Sequence, residues 1–330
     1  MIIVSSPTRV SLGSSDHSPF SERFNGVALS ICINKRVYVI LRNRSGLEET
    51  KFRVSYSKTE LCNTIDEIQL SIARAALSKT DFTDPLEIIY ASDVPAQTGL
   101  GTSSAFALAL LKGLLIYKNV GISNEILSEW AYTLERIDLN EKGGWQDQYS
   151  LALGGINYLT GKPFNVKREP VMLSPDKAKL LEDHLLLIYT GKQGSSHKMI
   201  ADQLARLEVN KTLEETLQIK KIVEEMHKLL ISPDFHPTHL VYPMRETWDL
   251  KKRLSSGMTN EAVDDLERRV MDVNSKAAVR LVGGGGGRGT LLVLTAPECK
   301  EEICRAVKPL QCVDVRIDWE GVRARRIFSD

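Results

Sequence analysis

No apolar run in the 330-residue chain approaches the ~18–20 residues that a membrane-spanning helix needs. The opening Met1-Ile2-Ile3-Val4-Ser5-Ser6-Pro7 has neither the basic flank nor the long apolar stretch of a secretory signal, so a cytoplasmic location is expected. The cysteines, Cys32, Cys62, Cys299, Cys304 and Cys312, are odd in number and form no Cys-x-x-Cys or His-paired metal spacing. Neither a disulfide framework nor a zinc site is expected, and these residues read as small thiols in a reducing compartment. There is no excess of either charge: Lys+Arg number 43 against Asp+Glu 42, a net charge of +1. This excludes a dedicated nucleic-acid or anionic-membrane surface, which needs clustered cations, but leaves room for a local anion site. No internal repeat, low-complexity tract or Pro/Gly/Ser linker interrupts the chain.

What is present is an ordinary globular composition, 42% hydrophobic and 26% charged. The length exceeds what one core usually supports, so two packed lobes with a cleft between them are expected, divided as 1–160 and 161–330. β-type runs cover 27–33, 35–42 and 86–90. Leu61, Ile65, Ile68, Ile72 and Ala76 recur at helical spacing, residues 105–117 form an almost wholly apolar helix, and Leu127, Trp130, Ala131, Leu134 and Ile137 mark one side of an amphipathic one. Past the boundary come a buried strand at 185–189, charged helical stretches at 195–230 and 261–274, then strands at 277–282 and 291–294, a helix at 298–307 and closing strands at 313–317 and 322–327.

The most informative segment is Pro95-Ala96-Gln97-Thr98-Gly99-Leu100-Gly101-Thr102-Ser103-Ser104-Ala105, between a β run and the apolar helix. Its glycines let the backbone turn tightly, and the helix that follows directs unpaired N–H groups and its dipole into the loop, as a polyphosphate requires. The hydroxyls of Thr102, Ser103 and Ser104 suit helix capping, phosphate oxygens or Mg²⁺. Taken alone, the segment reads equally as a capped helix after a glycine turn. It is not a G-x-x-x-x-G-K-[ST] loop, since no Lys follows the second glycine, and Ser104 breaks the dinucleotide G-x-G-x-x-G spacing.

Glu135 closes the amphipathic helix and Asp147 follows Gly143-Gly144-Trp145-Gln146. Phosphoryl transfer to a hydroxyl needs a cation to offset phosphate charge, a task for Glu135, and gains from a carboxylate near the attacking oxygen, a task for Asp147. A solvated helix-end carboxylate and a capping Asp are the plainer alternatives. Gly283 to Gly287 are consecutive glycines, costly to order, which suits close backbone approach to a ligand as well as a flexible hairpin. Near the N-terminus, Arg9 is a candidate to stabilise transferred charge and Asp16 to accept hydrogen bonds from substrate hydroxyls. His17, His197, His236 and His239 lack metal-ligand register and receive no catalytic role.

In this order the segments resemble the GHMP kinases over nearly the whole chain. The family's Pro-x-x-x-Gly-Leu-Gly-Ser-Ser-Ala loop is similar to residues 95–105, its N-terminal motif to residues 7–16, and its glycine-rich third motif to residues 283–289. Within the family, Gly143-Gly144-Trp145-Gln146-Asp147-Gln148-Tyr149 followed by Gly154-Gly155-Ile156-Asn157 resembles D-glycero-D-manno-heptose 7-phosphate kinases. The resemblance implies an α+β, two-lobed fold, the N-lobe like domain 2 of ribosomal protein S5 and the C-lobe ferredoxin-like. It implies ATP and Mg²⁺ as cofactors and transfer to a sugar or sugar-phosphate hydroxyl. Asp147 and Arg9 would be catalytic; Pro95, Gly99, Leu100, Gly101, Thr102, Ser103 and Ser104 would bind ATP; Ser103, Ser104 and Glu135 would hold the metal. Substrate would meet Asp16, His17, Gly144, Gln146, Lys192, Gly284, Gly285 and Gly286.

The chain departs from the family's pattern in three places. Gly13-Ser14-Ser15-Asp16 is a shortened form of the expected glycine-rich stretch. Gly194 stands where heptose kinases carry an Arg, leaving Lys192 or Lys198 to meet a substrate phosphate. Arg288 interrupts the third glycine motif. A galactose-, fucose- or arabinose-type acceptor is the alternative substrate, and a non-catalytic nucleotide- or sugar-binding regulator is the alternative from another class. A nicotinamide dehydrogenase is disfavoured by the missing early strand–GxGxxG–helix unit. Oligomeric state is left open.

Overall fold

Strand β1 (Ile2–Ser14) runs antiparallel to the long β2 (Gly26–Asn43), with register shifts at Pro7/Thr8 and Ser11/Gly13. These irregularities divide the strand between two cores. Ile2 and Val4 pack into an N-lobe core, whereas Val10 and Leu12 pack into a second one shared with the C-lobe. Arg9 sits between the shifts, the kind of position at which a bulge re-aims a side chain. The computed structural model describes residues 1–45, 48–191, 197–283 and 289–327. The expectations for Lys192, Gly284, Gly285, Gly286 and Arg288, and the departure at Gly194, lie outside these described residues.

The N-lobe continues through α1 (Ser18–Phe24), which lies between β1 and β2, then β3 (Phe52–Ser55), β4 (Thr59–Cys62), α2 (Ser71–Lys79), β5 (Leu86–Ser92), α3 (Thr102–Tyr117) and α4 (Asn124–Thr133). A π-helical turn, Leu134–Asp138, leads to α5 (Gln146–Leu153), β6 (Ile156–Lys162) and β7 (Asn165–Val171). The C-lobe comprises α6 (Pro175–His184), β8 (Leu185–Tyr189), α7 (His197–Glu208), α8 (Leu213–Ile231), α9 (Val241–Arg253), α10 (Glu261–Val273), β9 (Ala278–Val282), β10 (Thr290–Leu294), α11 (Lys300–Ala306) and β11 (Gln311–Asp314). Strand β12 (Arg323–Arg326) then returns to the N-lobe and pairs with β1.

The larger sheet has eight strands in the order β12-β1-β2-β5-β3-β4, with β6 on β2 and β7 on β6. The smaller has four, β11-β8-β10-β9, all antiparallel. Counted from β8, this is the 4-1-3-2 order of a ferredoxin-like unit, so the expected α+β, two-lobed architecture is borne out. Helix α3 is buried on nearly every side against β1 and β2, as its unbroken apolar sequence predicts.

Some local expectations are corrected. Leu61 is not on a helix: it lies in β4, 60% exposed, while Glu60 and Cys62 turn inward against β3. The helix begins only at Ser71, because pairing with β3 outcompetes the three- and four-residue spacing that Leu61 and Ile65 suggest. Ile137 leaves the expected apolar stripe and is 59% exposed, whereas Glu135 is 1% exposed. The π-helical turn adds a residue to the period and rotates the face, carrying a carboxylate inward where a regular helix would carry an apolar side chain.

Candidate active site

A cavity of about 410 Å³ opens between the glycine loop, the far end of β1, α5 and helices α7 to α9. The loop enters it because its backbone allows nothing larger than glycine. Gly99 and Gly101 have φ of 80° and 79°, and a Cβ on Gly283 would stand 2.5 Å from the Gly99 Cα. The first and third glycine segments, far apart in sequence, therefore pack backbone to backbone. Pro95 anchors the turn by accepting from the Thr98 hydroxyl at 3.1 Å. Leu100 is buried, and its carbonyl accepts from the Arg9 amide at 2.9 Å. Gly101 occupies the N-cap of α3 without a capping side chain, so the first-turn amides at Thr102, Ser103 and Ser104 face the loop unclaimed by a cap.

The hydroxyls of Ser103 and Ser104 instead donate to Glu135, at 3.1 Å to Oε1 and 2.6 Å to Oε2. Gln148, on α5, adds a donation from Nε2 to the same Oε2 and one of 3.2 Å to the Ser104 hydroxyl. Across the loop, Arg9 grips Asp147 with Nε to Oδ1 at 2.7 Å and Nη2 to Oδ2 at 2.8 Å, while Nη1 donates to the Gly99 carbonyl at 2.5 Å. This bidentate pair holds the carboxylate at the start of α5 and ties it to the glycine loop.

Asp16 is 1% exposed and accepts from the Gln146 amide at 2.9 Å through Oδ2, and its Oδ1 has no partner among the described residues. Gly144 is glycine because a Cβ there would run into the Asp16 carboxylate. It also bridges His17, so the turn before α5 and the turn after β1 close on each other. The Gln146 amide group donates to the Ser14 hydroxyl at 3.1 Å, and Gln146 Oε1 and His17 Nδ1 are buried without partners among the described residues. Burial lowers the His17 pKa, with Asp16 opposing. Unpartnered buried polar atoms on Asp16, His17 and Gln146 give this wall both acceptors and donors for a polyhydroxylated ligand.

The structure adds residues that the motifs do not single out. Arg136 donates to the Gly144 carbonyl at 3.1 Å. Lys251, near the end of α9, donates to the Gly283 carbonyl at 2.6 Å, and burial, reinforced by Arg280 and Arg9, pulls its pKa down to about 7 against the pull of Asp16 and Asp147. Arg280 is 2% exposed in the middle of β9 and donates to the Leu12 carbonyl; burial and Arg9 bring it down to about 10. The cavity is also lined by the apolar side chains of Phe20, Ile200, Leu204, Leu207 and Ile219.

Residues 67–155 match the family described as GHMP kinases N terminal domain, a span that includes the glycine loop, Glu135 and Asp147. That span is a GHMP kinase N-terminal domain. The D-glycero-alpha-D-manno-heptose 7-phosphate kinase of Campylobacter jejuni is 26% identical over 97% of this chain and 98% of its own length. The bifunctional fucokinase/GDP-fucose pyrophosphorylase of Arabidopsis thaliana is 28% identical over 69% of this chain, which spans only 22% of that longer protein. Among solved structures, a D-glycero-D-manno-heptose 1-phosphate kinase from Bacteroides thetaiotaomicron superposes with a TM-score of 0.79 at 22% identity, covering 100% of both chains. The GHMP kinase fold thus spans both lobes. The relatives are small-molecule kinases, and ATP is the phosphate donor of the family. No helix among the described residues is long and apolar enough to cross a membrane.

Proposed function

We propose that this GHMP kinase transfers the terminal phosphoryl group of Mg·ATP to a sugar hydroxyl, with a D-glycero-D-manno-heptose 7-phosphate as the favoured acceptor. The observation that carries this reading is the Arg9–Asp147 pair held against the Gly99 carbonyl. It places a carboxylate beside the loop that receives the polyphosphate. In phosphoryl transfer the protein contributes mainly position and electrostatics, since the transition state demands little proton abstraction. Asp147, with both oxygens engaged by Arg9, is suited to orient the attacking hydroxyl. Asp16, with one oxygen unclaimed, is suited to hold a neighbouring one.

The donor set fits Mg²⁺. Glu135 is a buried carboxylate facing the Ser103 and Ser104 hydroxyls, and its described partners are neutral donors, so a cation there would balance its charge. Among the described residues no cluster of three or more His, Cys, Asp or Glu side chains is able to hold a metal by itself. Nucleotide oxygens would therefore complete the shell. Bound Mg²⁺ would offset charge on the phosphates, while Ser103, Ser104 and Glu135 fix where it sits.

The apolar wall of Phe20, Leu204, Leu207 and Ile219 supports a second reading, an acceptor with an apolar face such as a deoxy sugar of the fucose type. A coupled ADP-release assay with Mg·ATP and heptose 7-phosphate, free heptose, galactose, mannose, fucose and arabinose decides between them. Turnover of one sugar that disappears in Asp147→Ala supports the kinase reading and names the acceptor; silence across the panel, with ATP binding intact, rejects these acceptors.

A further inference from the structure

Two cations in the C-lobe wall have no anionic partner among the described residues. Lys251 is held by a single backbone carbonyl, that of Gly283 at 2.6 Å, and Arg280 by the Leu12 carbonyl and the Thr247 hydroxyl at 3.4 Å. Neither forms an ion pair among the described residues, and Arg280 Nε is buried without a partner. Both line the same cavity as the glycine loop. Arg9, by contrast, is already matched to Asp147. Buried cations left unmatched are strongly unfavourable, and two side by side more so. A fold that keeps them there places them against a charge that arrives from outside.

We propose that Lys251 and Arg280 form a phosphate seat in the C-lobe wall of the cleft, distinct from the helix-α3 end that receives the polyphosphate. The ligand chemistry is a phosphate monoester or a terminal phosphoryl group. It has two possible sources, the nucleotide's transferred phosphoryl or a phosphate already on the acceptor. Asp16 and Asp147 line the same cavity and act electrostatically on Lys251, so a group bound to the seat shares the cleft with the carboxylates that would hold the acceptor. The charged groups that act on Lys251, Arg280 from β9, Arg9 from β1, Asp16 from the turn after it and Asp147 from α5, together with His17, on which Lys251 acts, all line this cavity. Burial, reinforced by repulsion from Arg280 and Arg9, depresses the pKa of Lys251, and a bound dianion would oppose both. The inference rests on the phosphoryl-transfer reading of the cleft, but its test does not require turnover.

The test is calorimetric titration of the full chain with inorganic phosphate, for wild type, Lys251→Met and Arg280→Lys, with circular dichroism confirming each fold. Lys251→Met is expected to weaken phosphate binding by about tenfold or more, as loss of a charge-assisted contact requires. Arg280→Lys, which keeps the charge but not the fork, guards against a folding defect and should weaken it less. Equal affinity in wild type and Lys251→Met would assign the bound phosphate to the glycine loop and overturn the seat, as would no binding by wild type at millimolar phosphate. A repeat under saturating Mg·AMP-PNP separates the sources. Abolished phosphate binding identifies the nucleotide's own phosphoryl, and retained, Lys251-dependent binding identifies a phosphorylated acceptor. A seat that binds phosphate in a chain that phosphorylates none of the panel sugars would reject those acceptors and leave the seat standing.

Discussion

Arg9 and Asp147, 138 positions apart, meet through paired hydrogen bonds of 2.7 and 2.8 Å. The arginine side chain is 5% exposed and the aspartate 20%. Asp147→Ala therefore leaves a guanidinium buried without its carboxylate and should destabilise the fold by about 3–5 kcal/mol. Asp147→Asn keeps the shape and loses less stability, yet turnover should fall by roughly 10²–10⁴-fold. Chemical denaturation beside steady-state kinetics separates the two effects; full activity in Asp147→Asn would remove the residue from the chemistry.

Glu135→Gln should move stability and function in opposite directions. The amide retains an acceptor for Ser103 or Ser104 but removes a buried charge that has no described cation beside it. Melting temperature is expected to hold or rise, while the Mg²⁺ concentration giving half-maximal turnover rises steeply. A magnesium titration of both proteins checks this.

Gly99→Ala should disturb the loop through its backbone. At φ 80° a side chain is strained, and the added Cβ would press on the Val282 carbonyl. A loss of about 1–3 kcal/mol and weaker nucleotide binding are expected. Gly121→Ala, which meets nothing within 4 Å, is the control and should melt like wild type.

Lys251 makes stability depend on pH in an unusual direction. Its pKa falls from the ordinary 10.5 to about 7 on folding, so between those values the unfolded chain holds the extra proton. Unliganded protein should thus become more stable as pH rises from about 7 towards 10.5. Lys251→Met should flatten that rise, and bound phosphate should shrink it by restoring the charged form. Melting temperatures across this range, with and without phosphate, give the answer.

How much of this was legible in advance depends on where each signal is stored. The glycine loop is written contiguously, and its neighbours Gly99, Gly101 and Ser104 each have a local reason to be what they are. Glu135 and Asp147 could be named as candidates but not paired, because the three-dimensional fold joins them to Ser104 and Arg9. Lys251 stays hidden in Lys251-Lys252-Arg253, which reads as a solvated helix end, and Lys252 does behave that way, pairing with Asp249 at 2.9 Å. Arg280 carried a usable signal, a lone charge within a strand otherwise built of Ala278, Val279, Leu281 and Val282. The π-helical turn that buries Glu135 and exposes Ile137 leaves no mark on a pattern read at 3.6 residues per turn.

The return of β12 to β1 sets an order of assembly. Ile2–Ser14 is made some three hundred residues before its edge partner Arg323–Arg326. The C-lobe is thus an insertion within the N-lobe's sheet, and β1, the strand that carries Arg9, waits with one edge open until Arg323–Arg326 has been made. Such a topology, rich in contacts between distant parts of the sequence, folds slowly and exposes a strand edge meanwhile. The cleft is completed only after both lobes have been made, and β1 is the part most in need of protection until then.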